Sequence, residues 1–132
     1  MIQFPIYLDN QSTTPVDPRV LDVMNPFFTK EFGNAASAHS LGRQANAYVE
    51  EARQKIAKLI NAESANEIIF TSGATESNNL AIKGLCEIYR DRGNHLITSS
   101  IEHKSVMDTC KYLESAGFAV TYLAVNEEGL ID

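Results

Sequence analysis

The sequence predicts an α/β fold with a mostly parallel sheet. Short apolar runs rich in β-favouring residues occur at 68–70, 96–98 and 118–125. Segments with apolar residues at helical spacing separate them, so the predicted order is strand, helix, strand, helix, strand. Strands joined by a helix of this length lie parallel in one sheet. The carboxyl ends of the strands are then expected at one edge, where ligands of open α/β sheets bind.

An N-terminal helical segment precedes this alternation. Residues 5–8 are predicted to form a short strand, and Pro18–Lys30 a helix with proline at its start, where proline is tolerated. A loop follows to Ser40, the predicted cap of a helix over Arg43–Ile60. Residues 118–125 form the last predicted strand, and Asp132 is a candidate cap for a further helix.

The segment after the first predicted strand of the sheet is a candidate anion site. Ser72 and Gly73 end the strand, and a helical pattern begins directly after them. Backbone N–H groups at such a helix start favour phosphate or carboxylate, and Gly73 permits close approach. The hydroxyls of Ser72 and Thr75 are possible further donors. An ordinary strand-to-helix turn is an equally good explanation of this spacing, which is neither a Walker loop nor a dinucleotide fingerprint.

A second polar segment follows the strand at 96–98. Glu102, His103, Lys104 and Ser105 open the next predicted helix, and we expect them at the same edge of the sheet as Ser72–Thr75. The two segments are then candidates for one shared site, an anion-binding turn beside a histidine. A solvated or helix-capping histidine is the more common explanation of one such residue.

Composition excludes several classes of protein. The 132 residues carry a formal net charge of −6, which argues against a nucleic-acid partner. No apolar run reaches the roughly 20 residues of a membrane span, and the N-terminus does not resemble a signal peptide. Cys86 and Cys110 occupy apolar helical positions, where small buried hydrophobic residues are expected. They form no metal-ligand cluster with the three histidines, and the cytoplasm is the predicted compartment.

Longer motifs resemble the cysteine desulfurases of the NifS/IscS type, within the class V aminotransferase group. The phosphate segment of that family is similar to Phe70-Thr-Ser-Gly-Ala-Thr-Glu-Ser-Asn-Asn-Leu-Ala-Ile-Lys-Gly84, and Glu102-His-Lys-Ser-Val106 resembles its next signature. The resemblance runs through essentially the whole chain in colinear order. Two departures are Gln11-Ser12, where a small residue is usual, and Ala35, where proline is common.

The resemblance implies a fold-type-I enzyme that binds pyridoxal 5′-phosphate (PLP). Gly73 lies in the matching phosphate turn, and Ala74 and Thr75 match residues that meet the cofactor phosphate. His103 matches the histidine that stacks on the pyridine ring and is proposed to help proton transfer. No metal is implied. Residues 1–132 correspond to the N-terminal segment and the first part of the PLP-binding large domain.

The family activity implied is conversion of L-cysteine to L-alanine, with the sulfur passed through an enzyme persulfide to iron–sulfur or thio-cofactor assembly. A homodimer is implied, with an iron–sulfur scaffold or another sulfur acceptor as partner. The family's Schiff-base lysine and mobile-loop cysteine match no position of the 132 residues, and Lys83 and Lys104 are expected to be solvated. We therefore expect residues 1–132 alone to release no sulfide. The alternatives are a different class V PLP aminotransferase or lyase, or a non-catalytic truncated chain that serves as an interaction partner or is an inert remnant.

Overall fold

The computed structural model describes residues 5–131, and the chain divides into two compact units, Met1–Ile68 and Ile69–Asp132. The first unit contains helix α1 (Pro18–Thr29), helix α2 (Ser40–Leu59) and a short 3-10 helix (Ala65–Glu67). The second contains helix α3 (Ala74–Ile88), strand β1 (His95–Ser99), helix α4 (Lys104–Ser115) and strand β2 (Ala119–Leu123). The predicted α/β class is confirmed. The predicted cap at Asp132 lies outside the described residues.

Both long helices of the first unit begin at capping side chains. Asp17 accepts a hydrogen bond from the Arg19 backbone N–H at 2.8 Å, and Pro18 occupies the first position of α1 as predicted. His39, rather than Ser40, caps α2, because its Nδ1 accepts from the Gly42 backbone N–H at 3.2 Å. The predicted cap at Ser40 is therefore wrong, and Ser40 is the first helical residue.

Side chains join α1, the following loop and α2. The rings of Phe27 and Tyr48 meet edge to face with centroids 5.0 Å apart. Glu31 accepts hydrogen bonds from the Gln44 amide at 2.6 Å and from the Tyr48 hydroxyl at 3.1 Å. The backbone of Gly42 is buried where the loop folds back over the first turn of α2.

Replacing Gly42 by alanine is expected to destabilise the first unit. A Cβ atom there would lie 2.8 Å from the Asn34 carbonyl oxygen and closer still to that of Ser37. Overpacking of this kind costs about 1–3 kcal/mol in the free energy of unfolding, measured by urea titration followed by circular dichroism. Gly84→Ala in the interior of α3 is the control, because its Cβ would meet no atom of the described residues within 4 Å. Equal losses from the two substitutions would contradict the packing argument.

The second unit is built on two parallel strands joined by α4. The register pairs His95 with Ala119 and Ser99 with Leu123. Gly117, with φ of +92°, turns the chain out of α4, and this left-handed conformation favours glycine. The buried apolar side chains of this unit are Cys110, Leu113 and Phe118, so its core lies along α4 and the start of β2. The strand predictions at 96–98 and 118–125 are confirmed, the latter with narrower bounds.

Two other predicted strands are wrong. Residues 68–70 and residues 5–8 form no strand within residues 5–131. Ile68 has extended backbone angles, but a strand also requires a neighbour whose backbone groups pair with it. The parallel pair of the described sheet is therefore β1 with β2, connected through α4 rather than through α3.

Within residues 5–131, no helix combines the length and the apolar character needed to cross a lipid bilayer.

Candidate functional site

Among residues 5–131, the start of α3 lacks the kind of side-chain cap that begins α1, α2 and α4. Asp17, His39 and His103 cap α1, α2 and α4, whereas Gly73 precedes α3 with no side-chain hydrogen bond to its first turn. The first N–H groups of a helix have no partner inside the helix, and they carry the positive end of its dipole. Ala74 and Thr75 therefore present backbone donors to an external acceptor.

The space in front of Gly73 is open. A Cβ atom built on Gly73 would meet no atom within 4 Å among the described residues, so packing within this unit does not require glycine there. The predicted role of Gly73, close approach of the backbone to a ligand, fits this geometry.

Ser72 and Thr75 differ in what their hydroxyls already bind. The backbone N–H and the hydroxyl of Ser72 both donate to the Glu76 carboxylate, at 2.7 Å and 2.6 Å. Both bonds lower the pKa of the Glu76 carboxyl group, and the bond from the Ser72 hydroxyl has the larger effect. The Thr75 side chain is exposed, and its hydroxyl has no hydrogen bond to residues 5–131. Thr75 is thus the available hydroxyl donor of the turn, and Ser72 stabilises the turn itself.

His103 lies at the start of α4, just beyond the carboxyl end of β1. Its Nδ1 accepts from the Ser105 backbone N–H at 3.1 Å and lies 2.9 Å from the Ser105 hydroxyl oxygen. The side chain is otherwise exposed. The helix-capping explanation of this histidine is therefore confirmed, and the cofactor role of the exposed ring stays a prediction.

Two asparagines of α3 hold the starts of α3 and α4 together. The Asn78 amide donates to the Ser105 hydroxyl at 2.8 Å, and Asn79 accepts from the Thr109 hydroxyl at 3.0 Å. Ser105 and Thr109 are 7% and 2% exposed. These bonds join α3, which begins at the uncapped turn, to α4, which begins at His103. Within residues 5–131 the predicted strand at 68–70 is absent, so this proximity rests on contacts between the two helices and not on a shared edge of the sheet.

The amino-acid sequence matches one protein family over nearly its full length. Residues 6–132 fit the family described as aminotransferase class-V. The chain belongs to the class V aminotransferase family.

Named relatives of this class V chain are cysteine desulfurases. It is 59% identical over 129 residues to cysteine desulfurase IscS of Rickettsia bellii, and 57% identical over 129 residues to a probable mitochondrial cysteine desulfurase of Dictyostelium discoideum. Each comparison covers 97% of this chain but only 31% and 28% of those relatives. The chain thus spans about 30% of their length.

Solved structures show the same fold. A NifS-like protein superposes with a TM-score of 0.84 at 45% identity, over 93% of this chain and 34% of that one. A structure described as SspA in complex with cysteine gives a TM-score of 0.80 at 48% identity, over 92% of this chain and 35% of that one. The NifS-like fold class that the sequence motifs predict is confirmed.

The exposure of Lys83, Lys104 and the two cysteines differs from residue to residue. Lys104 is exposed as predicted, whereas Lys83 is half-buried with its Nζ 4.4 Å from the centre of the Tyr112 ring. Lys83, expected to be a solvated surface lysine, is therefore only partly exposed. Burial raises the pKa of the thiols of Cys86, which is half-buried, and of Cys110, which is fully buried. Thiols with a raised pKa are poor nucleophiles near neutral pH.

Sequence reasoning missed the functional place of Asn78 and Asn79. Both stand inside the phosphate-segment motif, but they were not assigned a contact. Their position one helical turn after Ala74 and Thr75 is the signal that could have indicated these contacts. Asparagine is a weak helix former, so two asparagines inside a helix suggest side-chain hydrogen bonds to another element. Their partners Ser105 and Thr109 are separated by four residues, the spacing of one helix face.

Proposed function

We propose that residues 1–132 form the phosphate-binding part of a PLP-dependent cysteine desulfurase. The observation that carries the proposal is the uncapped start of α3, held beside His103 by the bond between Asn78 and Ser105. Class V membership and the names of the relatives support the same conclusion. In this proposal the segment is the N-terminal segment and first part of the PLP-binding large domain.

The cofactor would be held here without covalent bonds. Gly73 leaves room for a phosphate, the backbone N–H groups of Ala74 and Thr75 donate to it, and the Thr75 hydroxyl adds a charge-assisted bond. His103 offers a flat, exposed ring at the same side of the unit, suited to stacking on an electron-poor ring. PLP, when bound, supplies the electron sink for chemistry at the amino-acid α carbon.

The proposed substrate is L-cysteine, and the products are L-alanine and a sulfur atom carried as an enzyme persulfide. A solved relative described as a complex with cysteine supports this substrate class. The proposed partners are an iron–sulfur scaffold or another sulfur-acceptor protein, and the proposed assembly is a cytoplasmic homodimer.

Alanine formation from cysteine by the whole protein tests this proposal. We expect one alanine per sulfide when PLP, L-cysteine and a thiol reductant are present. Amino-group transfer to a keto acid without sulfide release would instead indicate an aminotransferase, the reaction for which the family is described. No reaction of either kind, in a protein that retains PLP, would contradict the enzymatic proposal.

Thr75→Val in the whole protein is expected to weaken PLP binding. The substitution keeps the side-chain shape and the backbone N–H but removes one hydrogen bond to a charged acceptor, a loss of about 1.5–3 kcal/mol in binding free energy. Equilibrium dialysis measures the affinity. Ser72→Ala is the matched control and should weaken binding less, because the Ser72 hydroxyl already donates to Glu76. Equal affinities of Thr75→Val and the parent protein would remove Thr75 from the site.

A further inference from the structure

The two ring nitrogens of His103 have different surroundings. Nδ1 accepts the backbone N–H of Ser105 at 3.1 Å, and Nε2 has no hydrogen bond to residues 5–131. A backbone N–H only donates, so Nδ1 must present its lone pair to it. The proton of the neutral ring then belongs on Nε2, at the exposed edge.

The Ser105 hydroxyl also favours a proton on Nε2 of His103, because the Asn78 amide orients this hydroxyl. The Asn78 amide donates a hydrogen bond to Ser105 Oγ at 2.8 Å, and Oγ lies 2.9 Å from His103 Nδ1. With Oγ accepting from the amide, the hydroxyl proton is available for donation to Nδ1. Ser105 is 7% exposed, so bulk water competes little for these bonds. The donor direction runs from Asn78 through Ser105 to His103.

We infer that Asn78 and Ser105 are positioning residues that fix His103 as its Nε2–H tautomer. The exposed edge of the ring is then a hydrogen-bond donor, and the orientation of the ring is coupled to α3, the helix that begins at the proposed phosphate turn. The link to catalysis rests on the proposed function, whereas the tautomer is a property of the protein itself.

This arrangement restricts how His103 acts as a base. In the Nε2–H tautomer Nε2 has no lone pair, so the exposed edge can accept a proton only after the ring proton has moved to Nδ1, where it faces the Ser105 backbone N–H. To avoid this contact between two N–H groups, Nδ1–H has to donate to Ser105 Oγ instead, and the hydrogen bond that caps α4 is lost. Donation from Nε2–H, by contrast, leaves the cap intact. Proton acceptance at the exposed edge is therefore coupled to rearrangement of the α4 cap, whereas hydrogen-bond donation by the neutral ring is not.

The tautomer is measurable by nitrogen NMR. Histidine-selective ¹⁵N labelling of the whole protein without cofactor, at a pH where the ring is neutral, reports which nitrogen carries the proton; His103→Gln identifies the signals. We expect Nε2–H in the parent protein. In Asn78→Asp, the new carboxylate accepts the Ser105 hydroxyl proton, and the ratio of Nδ1–H to Nε2–H should rise about fivefold, as expected for loss of one neutral hydrogen bond. A parent ring with its proton on Nδ1, or an unchanged ratio in Asn78→Asp, would overturn the inference.

Another histidine in the same unit provides the control. His95 Nε2 lies 2.8 Å from the Thr121 hydroxyl. His95 begins β1, whereas His103 follows the other end of that strand. Thr121→Val should therefore alter the His95 signals and leave those of His103 unchanged. A change at His103 equal to that in Asn78→Asp would show a general disturbance of the unit and would also overturn the inference.

Turnover gives a second, separable test. Ser105→Ala should lower kcat for cysteine about fivefold and change the pH dependence of kcat, with KM nearly unchanged, whereas Ser105→Thr should restore parent behaviour because it keeps the hydroxyl. Identical pH profiles in Ser105→Ala and the parent would overturn the catalytic part of the inference. Absence of sulfide formation by the parent itself would count against the proposed function, and the NMR result would still decide the tautomer.

Discussion

His103→Ala in the whole protein is expected to slow cysteine turnover by about 10²–10⁴-fold, the usual contribution of a group that assists proton transfer. The substitution removes the exposed ring that we propose lies against the cofactor, together with its Nε2–H donor. The loss of PLP content should be smaller, because the donors at Gly73–Thr75 remain. Single-turnover rates at saturating PLP and cysteine separate the chemical step from cofactor loss.

Two further substitutions interpret the His103→Ala result. His103→Asn keeps a side chain that caps helices well, so it preserves the start of α4 while removing the ring. It should be nearly as slow as His103→Ala. His95→Ala removes an exposed histidine of the same unit and should leave turnover near that of the parent. Rates of His103→Ala within about threefold of the parent would fall far below an acid–base contribution and leave His103 a packing role only.

The sequence predicts those parts of the structure that local signals control. Helix α3 begins directly after Ser72-Gly73, and α4 begins after Glu102-His103, because small or capping residues precede a run with helical periodicity. The parallel pairing of β1 and β2 follows from the intervening helix. These features require little information beyond about a dozen neighbouring residues.

The wrong predictions concern the pairing of strands and the choice between neighbouring side chains that can form the same hydrogen bond. Ile68–Phe70 has strand-like composition, but strand formation depends on a partner that composition does not identify. His39 and Ser40 are both able to cap α2, and only the geometry shows that the imidazole is the acceptor. The Ser72 hydroxyl was a possible donor to a ligand, but it donates to the carboxylate of Glu76, four residues later, as does the Ser72 backbone N–H.

The bonds between α3 and α4 required the fold itself. Asn78 and Ser105 are distant along the chain, and their hydrogen bond exists because α3 packs against α4. The motif resemblance points to His103, but it does not indicate which ring nitrogen is exposed or what orients it. That part of the site emerges only from the distances around Ser105.

Leu113→Ala is expected to destabilise the unit that carries this site. The Leu113 side chain is only 1% exposed and, with Cys110, is one of the two largest fully buried side chains in the described part of the chain. Truncation would leave a cavity beneath α4 and lower the free energy of unfolding by about 2–5 kcal/mol, visible as a lower urea midpoint with an unchanged slope. Leu113→Met, which conserves volume, should cost less than about 1.5 kcal/mol. Equal midpoints for the two variants would show that Leu113 is not part of the core.

If Leu113→Ala is folded at low urea, its His103 should keep the Nε2–H tautomer, because Ser105 and Asn78 are unaltered. The stability of the unit would then depend on Leu113, and the position of the His103 proton would depend on Ser105, although both residues belong to α4.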